Sequence, residues 1–411
     1  MPDALSTLRK TLTLILAGGQ GERLYPLTKD RAKPAVSFGG SYRIIDFTLS
    51  NCLNSGLRRI YVLTQYRSLT LDQHIRRGWD IFRHDLGEFI YTVPPQQYYS
   101  ARWYVGTADA VFQNIYLIQQ ERPERVLLLS GDHLYKMDYA GLIDSHIERG
   151  AAVTIATVET SVSEASRFGV VETDPSGRVR GFLEKPRDPE VLARLGERIQ
   201  VNMGVYVFNT DALVRSVIDD AKQKSDHDFG KNVLPALVAS GEPVHAYSFV
   251  DENKKEAKYW RDIGTIASYF EASMDLVSVN PLFNLYDDVW PIRTCPRQYP
   301  PAKTVFQSAQ EGRVGACYDS VISLGSIISG GTVIRSILSY DVRVNSYSHV
   351  IDSILMDHVS IGRYSRIRNT IIDEGVEIPA NSVIGYDADD DAKRFVVNEG
   401  VVVVPSGIRF S

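Results

Sequence analysis

The sequence predicts an α/β fold built on a mainly parallel sheet, followed by a second domain coiled as a parallel β-helix. Three observations carry this reading. Short apolar runs alternate with longer mixed segments over the first two thirds of the chain. Prolines then cluster at Pro281, Pro291, Pro296, Pro300 and Pro301. Beyond them, aliphatic residues recur at a spacing of 17.

The apolar runs "LTLILAG", "RRIYVLTQY", "RVLLLSGD", "AAVTIATVE" and "VNMGVYVFN" read as strands. Helix-like stretches such as "TADAVFQNIYLIQQ" and "DYAGLIDSHIERG" separate several of them. Strand, helix and strand in succession give a parallel sheet covered by helices. Ligands in such sheets sit at the carboxyl ends of the strands, where "LAGG", "TQY" and "SGD" stand. The expected domains are 1–280, a proline-rich linker over 281–315 and a β-helix over 316–411.

The repeat fixes the second fold. Ile327, Val344, Ile361 and Ile378 are 17 apart; so are Val333, Val350, Ile367 and Ile384, and Leu338, Leu355 and Ile372. Apolar positions thus recur about every six residues, a period that neither a helix nor a simple strand has. Three short faces per coil, with aliphatic side chains stacked inward, account for it. About four coils would leave an exposed end that needs a cap, the first domain or another subunit.

Composition removes several classes. Of 411 residues, 44% are apolar and 23% charged, which is ordinary for a globular chain. A net charge of −5 gives no broad basic field, so no nucleic-acid or membrane partner is expected. Cys52, Cys295 and Cys317 form no CxxC pair, so no zinc site or disulfide framework is expected. Reduced thiols suit the cytoplasm. The apolar run near residue 11 is too short to cross a bilayer and lacks the pattern of a signal peptide.

The stretch "LAGGQGERLYPLTKDRAKP" raises the functional question. Gly18, Gly19 and Gly21 follow a strand, so backbone can approach a ligand and free N–H groups can cradle phosphate. The loop matches neither GxGxxG nor GxxxxGK[ST]. Arg23 can fork onto phosphate oxygens, and Lys33 offers a point charge whose backbone Pro34 restricts.

These residues carry a resemblance. "LILAGGQGERLYPLTKDRAKP" resembles the signature of the sugar-phosphate nucleotidyltransferases. "AKPAVSFGGSYRIIDFTLSNCLNSG", "VGTADAVFQN", "SGDHLYKMDY", "FLEKP", "HDFGKNVLP" and "YWRDIGT" narrow it to the glucose-1-phosphate adenylyltransferase family, over residues 11 to 400. The resemblance implies a Rossmann-like domain of the nucleotide-diphospho-sugar transferase type and a left-handed β-helix. It implies transfer of the adenylyl group of ATP to glucose 1-phosphate, with Mg²⁺ and release of pyrophosphate, as in bacterial glycogen synthesis. Two anions meet in that reaction, so positioning and charge neutralisation must dominate.

By the same resemblance, Arg23 and Lys33 lie along the triphosphate, and Asp132 and Asp262 hold the metal. Leu16, Ala17, Gly18, Gly19, Gly21, Gln65, Gln96, Gln97 and Gly106 border the nucleotide. Tyr104, Gly169, Glu184, Lys185, Asn202, Tyr206, Asp228 and Phe229 border glucose 1-phosphate. Asn202 stands where the family commonly has serine. Gln65 and Trp103 match mobile-loop residues tied to regulation, although Trp103 reads equally well as a buried anchor.

Members of the family are typically homotetramers controlled by small anionic effectors. Arg31, Arg43, Lys393 and Arg394 are the candidate effector residues. Asp30, Gln119 and Gln120 replace basic residues, so a different effector or a weak response is expected, with Lys29 a possible compensation. The alternatives are a transferase that uses another base and a non-catalytic regulatory subunit. The retained Arg23, Lys33, Asp132, Lys185 and Asp262 argue against the second.

Overall fold

A computed structural model describes residues 4–96, 103–251, 256–257, 259–305, 307–308, 310 and 312–410. Its largest sheet has nine strands: β1 (Thr11–Ala17), β2 (Arg59–Thr64), β3 (Phe89–Val93), β4 (Arg125–Ser130), β5 (Val153–Ser161), β6 (Gly169–Thr173), β7 (Val179–Glu184), β8 (Arg198–Asn209) and β9 (Val244–Ser248). The order is β7-β6-β8-β4-β1-β2-β3, with β5 paired to β8 and β9 paired to β5. Only β7 and β8 run against the other seven strands, as expected for a mainly parallel sheet.

β1 is mostly apolar and almost wholly buried because both of its faces are covered. Leu12 and Leu14 pack on one side with helices Thr107–Gln113, Ile115–Glu121 and Thr210–Ala221. Ile15 and Ala17 pack on the other with helices Ile44–Asn54, Leu69–Gly78 and Tyr139–Glu148. Leu16 pairs with Ser130 on one side, and Ala17 with Thr64 on the other. The ends of β1, β2 and β4 therefore lie side by side, which brings "LAGG", "TQY" and "SGD" together.

The carboxyl-terminal part forms three parallel sheets, one for each face of a coil. Val333, Val350, Ile367 and Ile384 stack in register and are fully buried, as the period predicts. Leu338, Leu355 and Ile372 do the same. The third series needs a correction: Ile328, not Ile327, lies beneath Val344 and is buried.

The corners explain the slip. Backbone with positive φ recurs at Asp341 and Tyr347, six residues apart, and at His358 and Tyr364, also six apart. The matching face from Gly325 to Gly330 has five steps. One missing residue shifts Ile327 off the core, whereas the spacing alone assumed a constant coil. Buried serines close the corners: Ser353 N donates to Ser336 Oγ at 3.1 Å, and Thr370 N to Ser353 Oγ at 3.3 Å.

Lys303–Val305 already pairs in parallel with Ile327–Ser329, so the coil begins upstream of residue 316. At the far end Val401–Val404 continues one sheet, Val396–Asn398 folds back on it, and helix Ala388–Arg394 precedes them. That antiparallel return finishes the edge of one sheet.

The two domains share a core. Phe38, Ile44, Phe47 and Tyr269 pack in one cluster with Ile337, Ile354, Ile371 and Val403 of the β-helix. Arg31 pairs with Asp373 at 2.9 Å and Glu374 at 3.2 Å, and Arg297 pairs with Asp357 at 2.6 Å. A joint core predicts joint unfolding. Ile371→Ala should cost about 2–5 kcal/mol and lower the midpoint of one denaturant transition. Two separate transitions, with only the β-helix affected, would contradict a shared core.

Candidate active site

The adjoining strand ends frame a cleft of about 730 Å³. Leu16, Ala17, Gly18, Gly19 and Gly21 form one wall, and Gln65, Tyr104 and Gly106 another. Arg23, Lys33 and Asp132 also face it. Gly21 has φ +67°, and an added Cβ would stand 2.9 Å from Thr28 Cγ2 and 3.1 Å from Lys33 Cβ. The loop therefore requires glycine there both for its conformation and for the passage of Lys33.

Lys33 reaches the floor from a buried 3₁₀ turn, Lys33–Ala35. Its Nζ lies 2.7 Å from Asp132 Oδ2 and 3.3 Å from Asp262 Oδ1. Asp132 follows β4. Asp262 arrives through a short antiparallel ladder in which Trp260–Asp262 pairs with His133–Tyr135, setting Asp262 opposite His133. Nothing local in the sequence marks that pairing.

Burial works to lower the pKa of Lys33, but Asp132 and Asp262 outweigh it, and the ammonium form is favoured. Desolvation would raise the carboxyl of Asp132. The Lys33 ammonium, chiefly, and the Ser130 hydroxyl overcome it and hold the group well below the usual carboxylate range. One ligand atom each from Asp132, His133 and Asp262 lies within 4.8 Å of the others. Two carboxylates on a partly exposed floor suit a hard divalent cation.

Arg23 is exposed on the turn Glu22–Leu24, with Nη2 within 3.2 Å of where a Cβ on Gly264 would stand. Gln65 is buried and holds Tyr104 at both ends: its Oε1 accepts from Tyr104 N at 3.0 Å, and its Nε2 donates to Tyr104 O at 3.3 Å. Trp103 is exposed and stacks on Tyr66 at 5.1 Å, so it is not a buried anchor. Gln96 is exposed and donates to Pro94 O at 2.8 Å. Gln97 lies outside the described residues.

The second set of residues gathers beside the cleft. Glu184 ends β7 and lies 3.1 Å from Lys185 Nζ. A Cβ on Gly169 or Gly230 would stand 2.8 Å from Glu184 Oε2, so both glycines close around that carboxylate. Asp228 accepts from Thr107 Oγ1 at 3.0 Å and caps the turn through Gly230 N at 2.9 Å. Phe229 stacks on Tyr206 with centroids 6.0 Å apart. Asn202 Nδ2 donates to Tyr206 Oη at 2.7 Å, and its Oδ1 accepts from Gly204 N at 2.9 Å. Tyr104 Oη accepts from Asn114 Nδ2 at 2.9 Å.

The four candidate effector residues do not form one group. Arg31 and Arg43 meet at Glu374, 3.2 and 3.5 Å away. Arg394 instead pairs with Asp390 at 2.8 Å and Asp391 at 3.5 Å, and Lys393 is its exposed neighbour. Sequence reading missed Ser130, His133 and Thr107. The first two flank Asp132 by adjacency, but neither side-chain direction is encoded locally.

Comparison with known proteins agrees with this arrangement. Residues 12–279 match a family described as "Nucleotidyl transferase", and residues 300–404 match "GlmU-like, C-terminal hexapeptide". A glucose-1-phosphate adenylyltransferase of Koribacter versatilis is 55% identical over 399 residues, covering 96% of this chain and 95% of the relative. One from Rhodopirellula baltica is 51% identical, with 99% and 93% covered. Glucose-1-phosphate adenylyltransferase 2 of Vibrio cholerae is 49% identical, with 98% and 100% covered.

Gly106 tests the wall of the cleft. A Cβ there would stand 2.2 Å from His227 O and 2.3 Å from Asp226 O, both rigid backbone. Gly106→Ala should weaken nucleoside triphosphate binding by roughly tenfold or more in calorimetric titration, with the fold retained. Unchanged affinity would show that the wall can yield.

Proposed function

The chain belongs to the glucose-1-phosphate adenylyltransferases within the nucleotidyl transferase family, and we propose that it transfers the adenylyl group of ATP to glucose 1-phosphate, releasing pyrophosphate. The observation that carries the site assignment is the meeting of Lys33, Asp132 and Asp262 beneath a glycine-lined cleft. The glycines clear space for the triphosphate. Arg23 and Lys33 offset charge on the α-phosphate and on the departing pyrophosphate. Glu184 and Lys185 receive the sugar phosphate, with the lysine toward phosphate and the glutamate toward hydroxyls.

Asp132 and Asp262 would hold a divalent cation such as Mg²⁺, which would supply positive charge to offset the phosphates. Lys33 already lies against both carboxylates, which holds them close together. Tyr206 stays a phenol because burial pushes its pKa well up, so it can hydrogen-bond the sugar without ionising. Asn202 is committed to Tyr206 and Gly204, so it shapes this pocket by fixing the phenol.

No helix among the described residues is long and apolar enough to cross a membrane. A cytoplasmic homotetramer in glycogen synthesis fits the family reading. Anionic effectors would meet Arg31 and Arg43, where Glu374 already supplies a carboxylate, and this supports a weak response.

Pyrophosphate release with glucose 1-phosphate and each of five nucleoside triphosphates should be Mg²⁺-dependent and strongest with ATP. Preference for another base would overturn the adenylyl assignment. Asp132→Asn should lower kcat by roughly 10²–10³ in protein that still folds, as read by far-UV circular dichroism, although the loss of a partner to Lys33 lowers its melting temperature. A near-normal rate would refute the role of its carboxylate. Lys185→Ala should raise KM for glucose 1-phosphate more than it lowers kcat. A rise confined to the KM for ATP would place Lys185 elsewhere.

A further inference from the structure

We propose that His133 supplies an imidazole ligand to the divalent cation held by Asp132 and Asp262, an inference that rests on the nucleotidyl-transfer reading above. The ring Nδ1 lies 3.0 Å from the carbonyl oxygen of Met203. A carbonyl can only accept, so Nδ1 carries the hydrogen. In the neutral ring, Nε2 is then the bare lone pair. That atom lies 3.5 Å from Asp132 Oδ1 and 3.8 Å from Asp262 Oδ1.

These distances suit coordination. With ligand bonds of about 2.1 Å, octahedral neighbours stand about 3.0 Å apart and opposite ligands about 4.2 Å apart. Both measured separations exceed the value for neighbouring ligands, so the carboxylates and Nε2 must close by about 0.5 to 0.8 Å around a cation. A metal-bound imidazole usually donates its other N–H to a carbonyl or carboxylate, as His133 does here.

The surrounding backbone is shaped for this ring. Pairing of β8 with β5 breaks register between Asn202 and Tyr206, and the carbonyl of Met203 turns to the imidazole at that irregularity. Gly204 has φ +70°, and a Cβ there would stand 3.3 Å from His133 Cε1. Trp260 packs edge-on against the ring at 5.2 Å and restricts its rotation. These constraints aim Nε2 at the two carboxylates.

The chemical consequence is a mixed oxygen and nitrogen site. Mg²⁺ favours oxygen alone, whereas imidazole favours later first-row cations. The site therefore binds Mn²⁺ more tightly than two carboxylates and water would. The rival arrangement is an imidazolium that merely ion-pairs with both aspartates; it has no lone pair to give.

Electron spin-echo envelope modulation of Mn²⁺ bound to the nucleotide-free full-length protein separates the two. Protein carrying ¹⁵N-histidine should show a histidine nitrogen coupled to the metal. His133→Gln should lose that coupling and raise the Mn²⁺ dissociation constant by roughly tenfold or more. Bound Mn²⁺ that Asp262→Asn releases, but that shows no histidine coupling in the wild type, would overturn the ligand and leave the carboxylate site standing. Failure of the wild type to bind Mn²⁺ would remove the cation site itself, and with it the premise. The wild-type spectrum decides the ligand even if the variant folds poorly.

Discussion

A buried ammonium between two carboxylates organises the catalytic domain. Lys33 lies 99 residues from Asp132 and 229 from Asp262, yet it touches both. An unpaired charge at that depth would be strongly destabilising, and removing one partner of a buried pair typically costs about 3–5 kcal/mol. The turn carrying Lys33, the end of β4 and the ladder carrying Asp262 must therefore arrive together. The same closeness makes the site useful. Two carboxylates held side by side by a lysine are ready to share a cation, and the lysine is ready to face phosphate.

The β-helix supports that assembly from outside. Its Ile337, Ile354 and Ile371 give the catalytic domain part of its core, and Asp373 and Glu374 neutralise Arg31. Glu374 also accepts from Ser37 Oγ at 3.2 Å, while Tyr269 Oη donates to Ser37 O at 2.6 Å. A polar network framed by aliphatic and aromatic side chains fixes the angle between the domains more sharply than apolar contact alone, because misplacement leaves buried groups unpaired. The repeat was visible from spacing, but this second use of its outward-facing residues was not.

Much of the architecture was legible because it obeys short periods. β1 reads as a buried strand from its short, mostly apolar run, and the glycines after it mark a strand end open to a ligand. The interior stacks read off the 17-residue spacing until the shortened face at Gly325–Gly330 moved Ile328 into the core. What stayed hidden depends on pairing between distant segments. Asp262 is placed by a ladder with His133, His133 is aimed by a carbonyl at an irregularity of β8, and Glu374 meets Arg31 across the junction. None of these has a local signature, because each is fixed by tertiary register. Motif resemblance found Asp262 without explaining it; the ladder supplies the explanation.

Arg31 and Lys33 are separated by one residue but face opposite tasks. Arg31 is held by the β-helix, and Lys33 by the catalytic carboxylates. Ala32 between them is buried, and the 3₁₀ turn that follows, Lys33–Ala35, is buried as well. Such a segment has little freedom to absorb movement at one end, since a buried turn cannot shift without disturbing its packing. The contacts that place Arg31 and those that place Lys33 therefore act on one short buried segment. The connection is covalent and two residues long, so it requires no extended relay through the sheet. It gives the β-helix a mechanical reason to bear on the reaction that is independent of which ligand, if any, enters the junction. Glu374 supplies from within the chain a carboxylate that holds Arg31 in place.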